Sequence, residues 1–184
     1  NEDFFKAYPN DDRKEWNYMT EWKIKSGEII PYTESADKLP AISKYYDYDE
    51  GAPGKSAQSN GITCIYRYAE VLLMYAEAST RATNSVNQDA LNAIQEVQKR
   101  AGYQDRQIEL TTTTEPTAFL AAVSNERGWE FFAEMKRWFE LVRLEKVKEV
   151  RAEEWDASTF NTNHHYYFPV PYQQVDLAGD RKSV

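Results

Sequence analysis

Three glutamates recur at four-residue spacing, Glu126, Glu130 and Glu134. On a helix, residues four apart share a face. Two carboxylates flanking a cleft are what glycoside hydrolysis requires. A di-metal site in a helical bundle also uses inward glutamates, but it adds a Glu-x-x-His step. No histidine follows any of the three at that distance. Arginines are interleaved with the acids, at Arg127 and Arg137. Charges on a buried face must be paired, because an unpaired one is strongly destabilising. The spacing is therefore read as a structural ion network of Arg127, Glu130, Glu134 and Arg137, with catalysis by Glu126 or Glu130 as the rival.

Other candidate chemistry is thin. Gly54-Lys55-Ser56 ends like a phosphate loop, but Asp49 stands where the first glycine belongs, and neither a strand before nor a helix after is indicated. His164 and His165 are adjacent. In an extended segment they point to opposite sides and cannot chelate one ion together. Cys64 is the single cysteine, which excludes an internal disulfide and a cysteine-based zinc cage. At the start of a buried helix it is expected to act as a small hydrophobe. The aromatic residues are the live candidates. Trp16, Tyr18 and Trp22 alternate with polar residues in EWNYMTEW. Flat rings with polar rims suit sugar faces, and Tyr46 and Tyr48 join them as candidate ligand-binding residues. Core packing under a loop-rich layer is the competing reading of each ring.

These residues need elements to hold them. Residues 1–63 carry four prolines and four glycines, so no helical period is expected to survive there. They also hold ten of the 26 aromatic residues, which disfavours a disordered tail. The expectation is a packed, loop-rich layer with short strands such as Trp22-Lys23-Ile24, and with 49–61 as its most mobile loop. Residues 62–82 read as the strongest helix. Ile65, Ala69, Leu72 and Ala76 form one apolar row, and Tyr68, Val71 and Tyr75 a second. A helix apolar on most sides is buried by several neighbours. Its polar stripe pairs Arg67 with Glu70 and Glu77 with Arg81. A second helix follows, capped by Ser85 or Asn87, with Ala90, Ile94, Val97 and Ala101 on one face and Gly102 as the left-handed stop. The two make an antiparallel pair over 64–102, close in length to a tetratricopeptide unit. Pro116 fits the first position of a third helical stretch. That stretch runs towards Val150, with a break expected near Gly128 or within Glu134–Lys136. Val123, Phe131, Met135, Trp138, Leu141 and Val142 share its apolar face. Residues 156–184 return to an extended tail, whose prolines bar it from a central strand.

The whole chain has 184 residues, 22 basic and 30 acidic, for a net charge of −8. That size favours one domain. The acidic balance offers no basic face for nucleic acid. No apolar run approaches the roughly 20 residues that span a bilayer.

Six ordered segments resemble the C-terminal part of the SusD/RagB family, surface nutrient-binding lipoproteins of Bacteroidetes. They are Asp11-Asp12-Arg13; Lys44-Tyr45; Arg67-x-x-Glu70-Val71-x-Leu73-x-Tyr75-Ala76-Glu77-Ala78; Ala93-Ile94-x-x-Val97-x-x-Arg100-Ala101-Gly102; the run from Glu126-Arg127 through Glu130-Phe131 and Glu134 to Arg137-Trp138-Phe139-x-Leu141-x-Arg143; and Tyr167-Phe168-Pro169-Val170-Pro171. The family usually has glycine after the acid of the fifth segment, where Met135 stands here. The resemblance implies a mainly α fold: tetratricopeptide-like helical pairs with a loop-rich layer, part of a SusD-like α/α superhelix. Within a single domain, 1–63 would be the aromatic layer, 64–102 the helix pair, 116–150 further helices and 156–184 the tail. It also implies a non-enzymatic protein held at the outer-membrane surface by an N-terminal lipid. Such a protein delivers a glycan or other nutrient to a TonB-dependent, SusC-like transporter, with no cofactor. The motif charges Arg67, Glu70, Arg127 and Glu134 would then be architectural. Glu70 or Glu77 should lie near Arg127 or Arg137. A helical scaffold that binds only protein remains the main rival, and a carbohydrate-active enzyme the lesser one.

Overall fold

The computed structural model describes residues 2–46, 64–150, 166–168 and 170–178. The chain divides into two compact units, Asn1–Lys136 and Arg137–Val184. Among the described residues helix predominates, and the strands are short.

In the first unit the early segment is less irregular than its prolines and glycines suggest. Two one-and-a-half-turn helices, α1 (Glu2–Ala7) and α2 (Asp12–Asn17), fit between Asn1 and Tyr18, upstream and downstream of Pro9. Proline breaks only the helix that contains it. Asp11 supplies the start signal for α2, accepting hydrogen bonds from the Arg13 and Lys14 amides, as an N-cap aspartate does. Four short strands follow. β1 (Tyr18–Met19) pairs antiparallel with β4 (Ala41–Ile42). β2 (Glu21–Lys23) pairs with β3 (Ile29–Pro31), matching Trp22 to Ile30. Thus the strand expected at Trp22 is present. The loop expected at 49–61, the Gly54-Lys55-Ser56 segment and His164-His165 lie outside the described residues.

The helical part consists of α3 (Tyr68–Thr83), α4 (Gln88–Arg100) and α5 (Pro116–Glu130). α3 and α4 form the expected pair. Their core is Leu73 and Ala76 against Ala90, Ile94 and Val97, closed by Phe119, Val123 and Phe131. The small side chains of Ala76 and Ala90, both fully buried, let the backbones approach. Asn87, rather than Ser85, caps α4, accepting from the Ala90 amide at 2.8 Å. Its end closes as Gly102 predicts: φ is +83°, the Gly102 amide donates to Lys99 O at 3.0 Å and the Tyr103 amide to Gln98 O at 3.2 Å. That double closure is a Schellman motif.

Three helix expectations need correction. α3 begins at Tyr68, so Ile65 is outside it, and Ile65 and Cys64 are exposed. The Tyr68, Val71 and Tyr75 row faces solvent, while Glu70 and Glu77 on the supposed polar stripe are buried. Glu70 is held from outside the helix by Lys136 and Arg127, whereas Glu77 pairs with Arg81 within it, at 2.8 Å. Finally, the third helical stretch breaks, as expected, but Met135 does not share its apolar face. α5 stops at Glu130, and Ala133 and Met135 both take left-handed backbone, at φ +60° and +59°. Met135 therefore leaves the apolar face and stands 88% exposed. It adopts the conformation a glycine would take most easily, and the break falls in the second of the two expected places. Val123, Phe131 and Leu141 of the expected face are buried, and Phe119 joins them.

In the second unit α6 (Arg137–Arg143) and α7 (Val147–Val150) are joined by a tight turn, in which the Lys146 amide donates to Leu141 O at 2.8 Å. The tail expected to be extended contains one more helix, α8 (Tyr172–Ala178), placed just after Pro171. Tyr167 and Phe168 are exposed.

A candidate ligand cleft on a saturated charge cluster

The first unit closes its N-terminal layer onto α5 through two devices. One is aromatic. Tyr18 packs on Phe132 at 4.5 Å between ring centroids and on Phe5 at 4.8 Å, and Tyr8 meets Tyr18 at 5.6 Å. The Tyr8 hydroxyl donates to Trp129 O at 2.7 Å and accepts from Asn17 Nδ2 at 2.7 Å. The other device is ionic. Arg13 Nη1 donates to Glu126 Oε1 at 2.7 Å and to Glu130 Oε2 at 2.9 Å. Its Nε and Nη2 grip Asp11 Oδ2 at 3.0 and 2.5 Å. A planar guanidinium with a fixed fork of donors suits this four-way contact.

The cluster then spreads to the end of α5 and past it to Glu134. Glu130 Oε1 accepts from Arg67 Nη1 at 2.6 Å and Arg100 Nη2 at 2.5 Å. Glu134 Oε1 accepts from Lys44 Nζ at 2.6 Å and Arg67 Nη2 at 2.7 Å. Its Oε2 accepts from Arg67 Nε at 3.2 Å. Glu126, fully buried, has its second oxygen on the Tyr103 hydroxyl at 3.0 Å and Gln98 Nε2 at 3.3 Å. Burial pushes the Glu126 carboxyl above its ordinary range, against the pull of Arg13. Burial pushes Glu130 and Glu134 the same way, but their cations outweigh it: Arg100, Arg67 and Arg13 for Glu130, Arg67 and Lys44 for Glu134, so both end below that range. Glu70 binds Lys136, and Arg127 Nη2 approaches it at 3.9 Å, so the predicted neighbourhood of Glu70 and Arg127 is present.

The membership of the network is corrected. Glu130 and Glu134 take cations from the N-terminal layer, from Arg67 just before α3, and from α4. Arg127 turns to Glu70, and Arg137 bonds Glu140 within its own helix at 3.1 Å. Arg13, Lys44 and Arg100 were not expected as partners. Their signal lay in the ordered segments themselves: five of the six carry a charged residue that this cluster uses. Nothing in helical periodicity could find contacts 113 residues apart, as Arg13 and Glu126 are.

Above the cluster opens a cleft of about 580 Å³, within the usual size range of small-molecule sites. Its walls include Arg13, Trp16, Lys44, Tyr45, Cys64, Arg67, Arg100, Glu130 and Glu134. Of the candidate ligand rings among the described residues, only Trp16 lines it, with 70% of its surface exposed. Tyr18 is buried in the aromatic packing. Trp22 sits half-buried on β2, away from the cleft. Tyr46 is 39% exposed beside Tyr45, which does line the cleft. Tyr48 lies outside the described residues. Tyr45 is the ring the sequence reading missed, although it stands in the Lys44-Tyr45 pair. Among the rings placed on apolar faces from sequence, Phe131 is buried, Tyr68 and Tyr75 are exposed, and Trp138 is half-buried.

Helical pairs clasped to a strand-bearing aromatic layer, with charges converging on one helix, define a tetratricopeptide-like helical protein with a surface cleft. The comparisons say which kind. The SusD family matches residues 5–181, and the chain belongs to that family. Two relatives are SusD-like proteins P2 and P25 of Formosa agariphila. The first is 29% identical over 160 residues, covering 80% of this chain and 31% of its own length. The second is 27% identical over 144 residues, covering 76% and 26%. A SusD superfamily protein from Parabacteroides distasonis superposes with a TM-score of 0.75 at 24% identity, over all of this chain and 41% of that one. A SusD homolog from Bacteroides thetaiotaomicron gives 0.68 at 22% identity, over 94% and 40%. The chain thus spans about a third of the length of the curated relatives it matches, and the solved structures carry the same fold.

Proposed function

We propose that this chain is part of a non-enzymatic nutrient-binding protein of the outer-membrane surface. It would capture a glycan and pass it to a TonB-dependent, SusC-like transporter, with a lipid anchor elsewhere in the full-length protein. Family membership supports the class of function. The observation that carries the reading to this chain is Trp16, a large flat ring held 70% exposed on the rim of a 580 Å³ cleft. A buried-type side chain kept in solvent beside fixed polar groups is the usual anatomy of a sugar subsite. Glu126 and Glu130 are poor candidates for hydrolysis, since each carboxylate is already engaged by Arg13 and other donors.

Isothermal titration of the chain against an oligosaccharide panel tests the reading. Binding should appear, and Trp16→Ala should weaken it at least tenfold, whereas Trp22→Ala should leave it within twofold. Equal affinity in Trp16→Ala would remove this cleft from the site. A protein-only scaffold is favoured by one observation, the exposed Tyr68, Val71 and Tyr75 on α3. Co-purification with a transporter, together with no binding to any glycan, would select it.

A further inference from the structure

We infer that the Trp16 cleft selects a saccharide carrying an acidic group, a uronate carboxylate or a sulfate ester, held by Arg100 and Lys44 while the sugar ring lies against Trp16. This rests on the glycan-binding reading and narrows it.

The argument is a balance of donors and acceptors. On the cleft wall the carboxylates of Glu130 and Glu134 are filled, while Asp12 takes Arg106 on Oδ1 and stays half exposed. Glu130 Oε1 takes two donors and Oε2 one, and its backbone oxygen takes two more, from Arg67 and Lys44. Glu134 takes two on Oε1 and one on Oε2. The donors are not filled to the same degree. An ammonium has three N–H groups and a guanidinium five. Lys44 uses two, both on this wall. Arg100 spends one, through Nη2, on an oxygen that Arg67 already satisfies, and its side chain stays 58% exposed. Arg13 is the contrast, with four contacts and 11% exposure. So Arg13 is a structural cation, and Arg100 is a cation with most of its fork facing solvent beside an exposed indole. A neutral sugar hydroxyl needs to give a hydrogen bond as well as take one. Carboxylates and sulfates only accept, and Arg is the residue whose geometry matches them.

Titration of the full chain with tri-galacturonate, its neutral counterpart galactotriose and a sulfated galactotriose tests this. An acidic probe should bind at least tenfold tighter than the neutral one, and the preference should shrink between 20 and 500 mM salt. Arg100→Gln should cut the preference to within twofold while the variant stays folded by circular dichroism, and Arg100→Lys should restore part of it. Whichever acidic probe binds tighter identifies carboxylate or sulfate as the natural group. Neutral and acidic probes binding equally, or a preference that survives Arg100→Gln, would overturn the inference and leave glycan binding standing. Binding of none of the three at millimolar concentration would overturn both.

Discussion

Helix α5 carries its charges inward, and helix α3 carries tyrosines outward. On α5, Glu126, Arg127 and Glu130 are all buried, and partners arrive from three segments of the chain. On α3, Tyr68, Val71, Met74 and Tyr75 are 45–68% exposed. Both helices reverse the simple rule of apolar inside and polar outside, for one reason. α5 sits where the N-terminal layer, Arg67 at the entrance to α3, and α4 all deliver cations, so its acids are worth burying. α3 gives its two buried acids and its small residues to that side and is left with its rings on the other. What decides a face is which partners the tertiary fold brings, and a helical wheel does not contain that information.

If that account is right, the two faces should respond oppositely to substitution. Arg13→Ala strands Asp11, Glu126 and Glu130 without their shared cation, and should cost about 3–5 kcal/mol in urea denaturation. A loss below about 1 kcal/mol would mean the cluster is decoration. Gly102→Ala tests the same clasp by space alone. A methyl there would lie 2.4 Å from Asp12 Oδ2 on a backbone at φ +83°, so a cost of about 1–3 kcal/mol is expected. A smaller effect is a pH signature. Because the folded Glu126 carboxyl is raised by burial, the unfolded chain releases that proton first as pH climbs, and stability falls across the interval. Glu126→Gln removes this loss, so the variant should gain on the parent between pH 4 and pH 7. A constant difference across that range would sink the assignment. At the other extreme, Tyr75→Ser on α3 should change stability by no more than about 0.5 kcal/mol. A large loss would show that this face is packed after all.

Much of the architecture was legible before any coordinates. The α3–α4 pair, the Gly102 stop and Pro116 at a helix start follow from short-range rules, and they hold because each depends on residues within one turn. Misreadings cluster where distance matters. The Arg67–Glu70 pair looked satisfied locally, yet Arg67 reaches Glu130 and Glu134. Tyr18 and Trp16 look alike in sequence two residues apart, and one is core while the other is cleft rim. The sharp change falls at the end of α2, where the chain turns from helix to strand at Tyr18. No composition or spacing marks that choice. It comes from Phe132, which supplies the ring that Tyr18 packs on.

The clasp between Arg13 and Glu126 also has a kinetic meaning. Its members are 113 residues apart, and Tyr8 and Trp129 are 121 apart, whereas α3 and α4 are joined by a four-residue link. Contacts between near neighbours close early in folding and distant ones late. The helical pair is thus the natural nucleus, and the aromatic layer is the last part to arrive. Interactions missing from the transition state govern how fast a native protein opens, with little influence on how fast it forms. Weakening the clasp should accordingly shorten the lifetime of the folded unit while its refolding rate barely moves, so that the wall bearing Trp16 is the first to come away.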